Sequence, residues 1–176
     1  MTTATTFELE NEETPLGREM FAKLLFAHKS LRHDLEAVED LAADLADGID
    51  GQEVRERVLE LKENGPLWQL KNDCLQFCST LHAHHTGEDF RLFPRLREIN
   101  PDLSPAVSKL ERDHQVVGEM LAQIEAAADR LAVRRAAESR DEMASLLAEM
   151  REHLLEHLEY EEKVAGPTIR RLVSFD

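Results

Sequence analysis

The sequence is poor in the residues that build sheets and turns. Of its 176 residues only 7 are Gly and 6 are Pro, and Phe, Trp and Tyr together make up 5%. Alanine, leucine, glutamate and arginine, which favour helices, are abundant. This balance predicts an all-α protein, and the length suits one domain that buries its own core.

Long apolar runs and an excess of positive charge are also absent. No stretch of about 18 apolar residues occurs, and the N-terminal "MTTATTFELENEETP" is polar and acidic where a signal peptide is basic and then apolar. The formal net charge is −15, with no Lys/Arg cluster to attract phosphates or anionic headgroups. We therefore expect no nucleic-acid partner, no membrane segment and a cytoplasmic location.

Cysteine is scarce as well, since Cys74 and Cys78 are the only two. They lie four residues apart on a predicted helix, where they share a face but where helix geometry does not favour a disulfide. We expect buried free thiols, with a redox-sensing pair as the alternative.

Helical periodicity organises most of the chain. Residues 1–14 lack it and are predicted to be a disordered tail, whereas residues 15–176 are predicted to form a four-helix bundle. The four predicted helices run from Leu16 to about Asp47, from Pro66 to about Ile99, from Ser104 onward, and from about Ser139 to Ala165. A charged segment at 52–63 predicts a short extra helix in the first connection. Short connections between long helices favour an up-down-up-down order.

Each predicted helix carries at least one histidine on its apolar stripe. A residue on the stripe points into the bundle whatever its polarity. The inward polar residues are then His28 on the first helix, His84 and Glu88 on the second, His114 on the third, and His153, His157 and Glu161 on the fourth. With alternating helix directions they fall at one end of the bundle, within about two turns of each other.

Buried carboxylates are costly without partners, and divalent cations remove that cost. Imidazole with carboxylate suits iron, zinc or manganese. His84 with Glu88 and His157 with Glu161 form two HxxxE pairs, each offering a terminal nitrogen and a carboxylate that can bridge two metals. The spacing therefore predicts a two-metal centre.

Other histidines lie off the stripes. His33 and His82 are expected at the surface, and so is His85. However, His85 with Asp89 repeats the four-residue spacing one position along, so a register shift of one residue would exchange the two pairs.

In this arrangement the sequence resembles the haemerythrin-like family, also called the HHE cation-binding domain. Its pattern is a lone His, an HxxxE, a lone His and a second HxxxE on successive helices. The matching stretches are "AHKSLRHDL", "HHTGEDFRLFP", "LERDHQVV" and "HLEYEEKVAGP", which cover nearly the whole chain. The resemblance implies two non-haem iron ions with an oxo or hydroxo bridge, and a small ligand: hydrogen peroxide, dioxygen or nitric oxide.

The chain departs from the oxygen carriers that it resembles. They have HxxxH on the third helix, whereas here the position four after His114 is Gly118, expected to leave space on the inward side. Their last carboxylate is an Asp five residues after its His, whereas Glu161 follows His157 by four. These differences favour decomposition of hydrogen peroxide, a catalase-like activity in which Tyr160 would donate a proton.

Other interpretations use the same residues. A binding or sensing module for dioxygen, nitric oxide or iron, without turnover, is the main alternative. His153 is either a fifth ligand or a packing residue. A ferritin-like site needs two ExxH motifs, and only Glu111 with His114 fits. A zinc site and a metal-free interaction bundle complete the alternatives.

Overall fold

The described elements are all helical, which confirms the expected fold class. The structure, a computed structural model, describes residues 12–47, 66–133 and 137–174. Its helices are α1 (Pro15–Asp47), α2 (Pro66–Gly87), a π-helical turn (Glu88–Leu92), α3 (Phe93–Ile99), a 3-10 turn (Pro101–Leu103), α4 (Ser104–Val133) and α5 (Ala137–Ile169). The second helix expected from the sequence is thus α2, the π turn and α3 in unbroken succession. The charged segment 52–63 lies outside the described residues.

The four long helices pack around one core. Both α1 and α4 contact α2 and α5, so the helices surround a shared interior. The interior contains two apolar clusters. The larger includes Leu31, Leu81, Val117 and Met150, and the smaller includes Phe93 and its neighbours near the ends of α3 and α5. On α1 and α4 the predicted metal-binding histidine lies between the stretches that build these two clusters.

Thr14 connects the first turn of α1 with the chain after α5. Its backbone N–H donates to Arg170 O at 2.9 Å, and its hydroxyl accepts from Gly17 N–H at 2.8 Å, which satisfies a donor in the first turn of α1. A Cβ at Gly17 would lie 2.2 Å from Arg170 O, so only glycine permits this contact. Residues 1–11 lie outside the described residues, and for them the tail stays a prediction.

Helix α5 continues one turn beyond its predicted end at Ala165. Proline lacks the N–H that a helix interior requires, so a helix ordinarily ends before a residue such as Pro167. The structure instead places Pro167 inside the helix, because Ala165, Ile169 and Leu172 are all buried in the smaller cluster. Burial of these apolar side chains outweighs the lost hydrogen bond.

Two other expectations concern membrane-spanning helices and the cysteine thiols. Among the described helices, none combines the length and apolarity that a membrane span requires. Cys74 and Cys78 are buried and unbridged, as expected, and burial raises the pKa of Cys78 to about 12. Such a thiol is a core residue with little thiolate character.

Candidate metal centre

A layer of polar side chains crosses the core between the two apolar clusters. It contains His28 from α1, His84 and His85 from α2, Glu88 from the π turn, His114 from α4, and His157 and Glu161 from α5. All are buried except His84, whose side chain is 13% exposed. The structure therefore brings together six of the seven inward polar residues that the stripes predict, all except His153.

The layer divides into two groups that share one carboxylate. The first group is His28, His84, Glu88 and Glu161, and the second is His85, Glu88, His114 and His157. In each group the ligand atoms lie within 4.8 Å of one another. Glu88 belongs to both, as expected of a bridging residue.

The first group converges on its two carboxylates. His84 Nε2 lies 3.1 Å from Glu88 Oε1, and His28 Nε2 lies 3.3 Å from Glu161 Oε2. His28 Nε2 is also 3.9 Å from Glu88 Oε1. Two nitrogens and two carboxylates thus face one position.

The second group is richer in nitrogen. His114 Nε2 lies 3.1 Å from His157 Nε2 and 3.5 Å from Glu88 Oε2, and the rings of His85 and His114 stack with centroids 3.9 Å apart. His157 Nε2 is 3.9 Å from Glu161 Oε2, so Glu161 also reaches toward this group.

The prediction that His85 lies off the inward face is wrong, since its side chain is only 5% exposed. Helix α2 faces the layer directly, and its two adjacent histidines diverge to either side of its midline, one into each group. An apolar stripe with one residue for each helical turn cannot contain the adjacent residues His84 and His85. The sequence signal for this arrangement was the pair of adjacent histidines, "HH", followed by the pair of adjacent acidic residues, "ED".

The π turn follows directly from Glu88. A π turn adds one residue to a helical repeat and is common at functional sites. Regular α-helical spacing from Glu88 would turn Arg95 toward the core, whereas the added residue places Leu96 there, fully buried. The turn thus lets α2 direct its polar residues into the layer while α3 supplies apolar residues to the smaller cluster.

Carboxylates outside the layer accept hydrogen bonds from two of the histidines. His28 Nδ1 donates to Glu162 at 2.8 Å, and Arg32 donates to the same oxygen at 2.8 Å. His114 Nδ1 donates to Asp89 at 2.8 Å. Because a carboxylate accepts, Nδ1 carries the hydrogen, so Nε2 faces the layer and is the atom of each ring that could bind a metal. Asp89 therefore orients a histidine and is in neither group.

His157 lacks this support, because its Nδ1 has no hydrogen-bond partner. Its Nδ1 lies 3.7 Å from Asp113, which is ion-paired with Lys109. The ammonium of Lys109 in turn lies over the ring of Tyr160, 4.4 Å from its centroid.

Burial in the layer shifts the pKa values of its titratable groups. Burial lowers the pKa of His84 to about 3 and that of His157 to about 4, and it lowers the pKa of His85 further. Burial and the neighbouring charge of Glu161 raise the pKa of Glu88 to about 8. Burial also opposes protonation of His28, but the neighbouring carboxylates of Glu161 and Glu88 outweigh it and raise its pKa to about 9.

Unpaired atoms in the layer fit a pair of metal ions. Buried side-chain atoms without a hydrogen-bond partner include both carboxylate oxygens of Glu88 and of Glu161, and Nε2 of His28, His84 and His85. Buried polar groups normally find partners. Nitrogen and carboxylate donors converging in this way are what divalent iron, zinc or manganese bind.

Three residues singled out in the sequence lie elsewhere. His153 is exposed and Leu154 is buried in its place, so the expected inward position of His153 is wrong. Tyr160 is half-buried against the smaller apolar cluster. Gly118 is exposed, not inward. His85, rather than a residue at position 118, provides the additional histidine beside His114.

The fold and the buried layer define a helical bundle with a histidine–carboxylate centre. A family model described as "Hemerythrin HHE cation binding domain" matches residues 19–169, and the chain belongs to this family. Comparisons with curated proteins and with solved structures gave no match.

Proposed function

We propose that the chain is a non-haem di-iron protein that binds a small oxidant or diatomic ligand, namely dioxygen, nitric oxide or hydrogen peroxide. The observation that carries this proposal is the pair of donor groups joined by Glu88. Two bridging carboxylates have little purpose with one metal, and the family is a cation-binding one.

The donors divide unequally between the two positions. His28 and His84 would hold one iron, and His85, His114 and His157 the other, with Glu88 and Glu161 between them. Bound iron would supply Lewis acidity and redox chemistry toward oxygen and nitrogen ligands. The protein's own part is to orient the rings through Glu162 and Asp89 and to keep the layer between two apolar clusters.

The number of donors favours binding over turnover. With only the four histidines His28, His84, His114 and His157, each iron would have about two nitrogen ligands and more than one position would stay open, which would favour peroxide decomposition. His85 raises the histidine count to five, so with two bidentate carboxylates and an oxo or hydroxo bridge about one position stays open. One open position suits reversible binding of a single small ligand, and catalase-like decomposition becomes the second candidate.

One preparation of the protein tests both candidate functions, reversible ligand binding and catalase-like decomposition of peroxide. The metal-free protein is loaded anaerobically with ferrous iron, unbound iron is removed, and iron per chain is measured. Absorption is then followed during cycles of nitric oxide addition and removal, and oxygen release is measured after adding peroxide. We expect about two irons per chain and a reversible spectral change. Steady release of dioxygen above a free-iron control would favour the catalase-like function, and one iron or fewer would contradict the di-iron proposal.

Finer features of the fold belong to the same proposal. Thr14, at the start of α1, contacts Arg170, and Arg95 in α3 contacts Ser174, both after α5. The start of α1, the end of the second helix and the end of α5 therefore lie together, from which we infer an up-down-up-down order. One domain over residues 15–176, with an extra helix at 52–63, and a cytoplasmic location stay predictions from the sequence.

A further inference from the structure

One oxygen of Glu162 accepts two hydrogen bonds at the edge of the first metal group. His28 Nδ1 donates to Glu162 Oε1 at 2.8 Å, and Arg32 Nη2 donates to the same oxygen at 2.8 Å. The His28 side chain is fully buried, whereas those of Glu162 and Arg32 are 24% and 31% exposed. A permanent positive charge near the surface is thus connected to a buried iron-binding candidate through one carboxylate.

The second metal group has no such connection among the described residues. Asp89 accepts the Nδ1–H of His114 at 2.8 Å, and within the described ranges no Lys or Arg side chain pairs with Asp89. Lys109 does pair with Asp113, but Asp113 lies 3.7 Å from His157 Nδ1, too far for a hydrogen bond. The two groups therefore differ in the charge behind their histidines as well as in their number of nitrogens.

A cation beside Glu162 affects a bound iron in two ways. Because Glu162 shares its oxygen with Arg32, it accepts less strongly from His28, and a weaker acceptor on Nδ1 makes Nε2 a weaker donor to a metal. Ferric iron carries one more positive charge than ferrous iron, so it is stabilised more by a strong donor and destabilised more by a nearby cation. Both effects favour the ferrous state, which means that they raise the reduction potential.

We propose that Arg32, acting through Glu162, raises the reduction potential of the iron held by His28 and His84. The proposal rests on the proposed function for its iron, and it adds a positioning residue that belongs to neither donor group. The redox step is the loss of one electron from ferrous iron to dioxygen or to an added one-electron acceptor such as ferricyanide. No bond is made or broken at Arg32 or Glu162.

Arg32→Gln tests this effect, with Arg151→Gln as its matched control. Arg151 on α5 pairs with Glu39 on α1 at 2.7 Å, so each substitution removes one ion pair between the same two helices. Glu39 lies about 16 Å beyond His28 along α1, well away from the layer. Partly exposed ion pairs contribute little to stability, so both variants should fold.

Redox titration of the iron-loaded proteins, followed by absorption, gives the midpoints of the ferric/ferrous steps. We expect Arg32→Gln to shift one step toward the ferric state by up to about tenfold, which corresponds to about 59 mV for one electron. Arg32→Lys keeps the charge and should restore most of the parent midpoint, and Arg151→Gln should match the parent protein. Unchanged midpoints in Arg32→Gln would overturn the proposal, even if iron were lost, because Arg32 would then have a structural role only.

A double-mutant cycle tests whether Glu162 transmits the effect. Glu162→Gln keeps the size of the side chain and removes its charge. In this background Arg32→Gln should move the midpoint much less than it does in the parent protein. An equally large shift would show that the cation acts directly through space, and it would overturn the role of Glu162.

The hydrogen bond can also be followed without metal. Loss of the competing donor in Arg32→Gln should strengthen the bond from His28 to Glu162 and move the His28 Nδ1-proton resonance downfield, whereas Arg151→Gln should leave it in place. An unmoved resonance would overturn the coupling of Arg32 to His28. Fewer than two irons per chain, with the resonance shift intact, would instead contradict the di-iron function and support that coupling.

Discussion

Glu88 and His85 determine how the two metal groups are connected. Glu88 is the one side chain common to both groups among the described residues, and His85 gives the second group its third nitrogen. Neither role follows from a single stripe. The stripe through Leu81 and His84 identifies Glu88 as inward, but it excludes His85, because adjacent helical residues point about 100° apart.

His85→Ala should remove one iron and leave the other. The second group would keep two histidines and Glu88, while the first group loses no donor. We expect iron content to fall from about two to about one per chain, since losing one of three nitrogen ligands weakens a site strongly. His82→Ala, exposed on the same helix, is the control and should keep both irons. Two tightly held irons in His85→Ala would show that this ring only packs against His114.

Asp89→Asn should weaken metal binding without removing a ligand. Asp89 accepts the Nδ1–H of His114 and so fixes the ring and increases its basicity. We expect the affinity of the second group to fall about tenfold or more, as is typical for such supporting carboxylates. Competition with a chelator measures this, and Asp141→Asn, on the exposed face of α5, is the control. An unchanged affinity would mean that packing alone holds His114.

At the scale of the helices, periodicity predicted most of what the structure contains. The stripes of α1 and α4 are buried as expected, at residues such as Leu31, Leu35 and Leu110. On α5 Met143, Met150 and His157 are buried as expected, whereas Leu147 and Leu154 are buried in place of Leu146 and His153. The π turn and the last turn of α5 could not be predicted, because both depend on tertiary packing that outweighs local rules.

Two glycines in helices should respond oppositely to alanine. At Gly118 an added Cβ meets open space, so Gly118→Ala should raise the free energy of unfolding by about 0.5–1 kcal/mol. At Gly17 the same atom would lie 2.2 Å from the backbone oxygen of Arg170, just after α5, so one of the two segments must shift. We expect Gly17→Ala to lower the free energy of unfolding by more than about 1 kcal/mol. Urea denaturation of the metal-free proteins measures both, and a stabilised Gly17→Ala would contradict the close contact of α1 with Arg170.

At the scale of the whole molecule, the polar layer makes the stability of the metal-free protein depend on pH. His84 and His157 have folded pKa values of about 3 and about 4, below the ordinary 6.5. Below pH 6.5 the unfolded chain therefore binds protons that the folded protein does not, and stability falls as the pH falls. His28 and Glu88 act in the opposite sense, since their folded pKa values of about 9 and about 8 are raised.

These shifts predict a stability maximum near pH 6.5. Between about pH 4.5 and 6.5 the lowered histidines outnumber Glu88, so stability should rise by about 1–3 kcal/mol per pH unit. Above pH 6.5 the folded protein holds protons on His28 and Glu88 that the unfolded chain releases, so stability falls toward pH 9. Calorimetry of the metal-free protein with a chelator should show the highest Tm near pH 6.5. A Tm that rises steadily from pH 5 to 9 would contradict the raised pKa values.

The central claim is that two irons lie on either side of Glu88, and anomalous scattering at the iron edge from a crystal of the iron-loaded protein tests it most directly. We predict two peaks, one among His28 and His84 and the other among His85, His114 and His157. A single peak, or a second peak away from Glu88, would contradict the account.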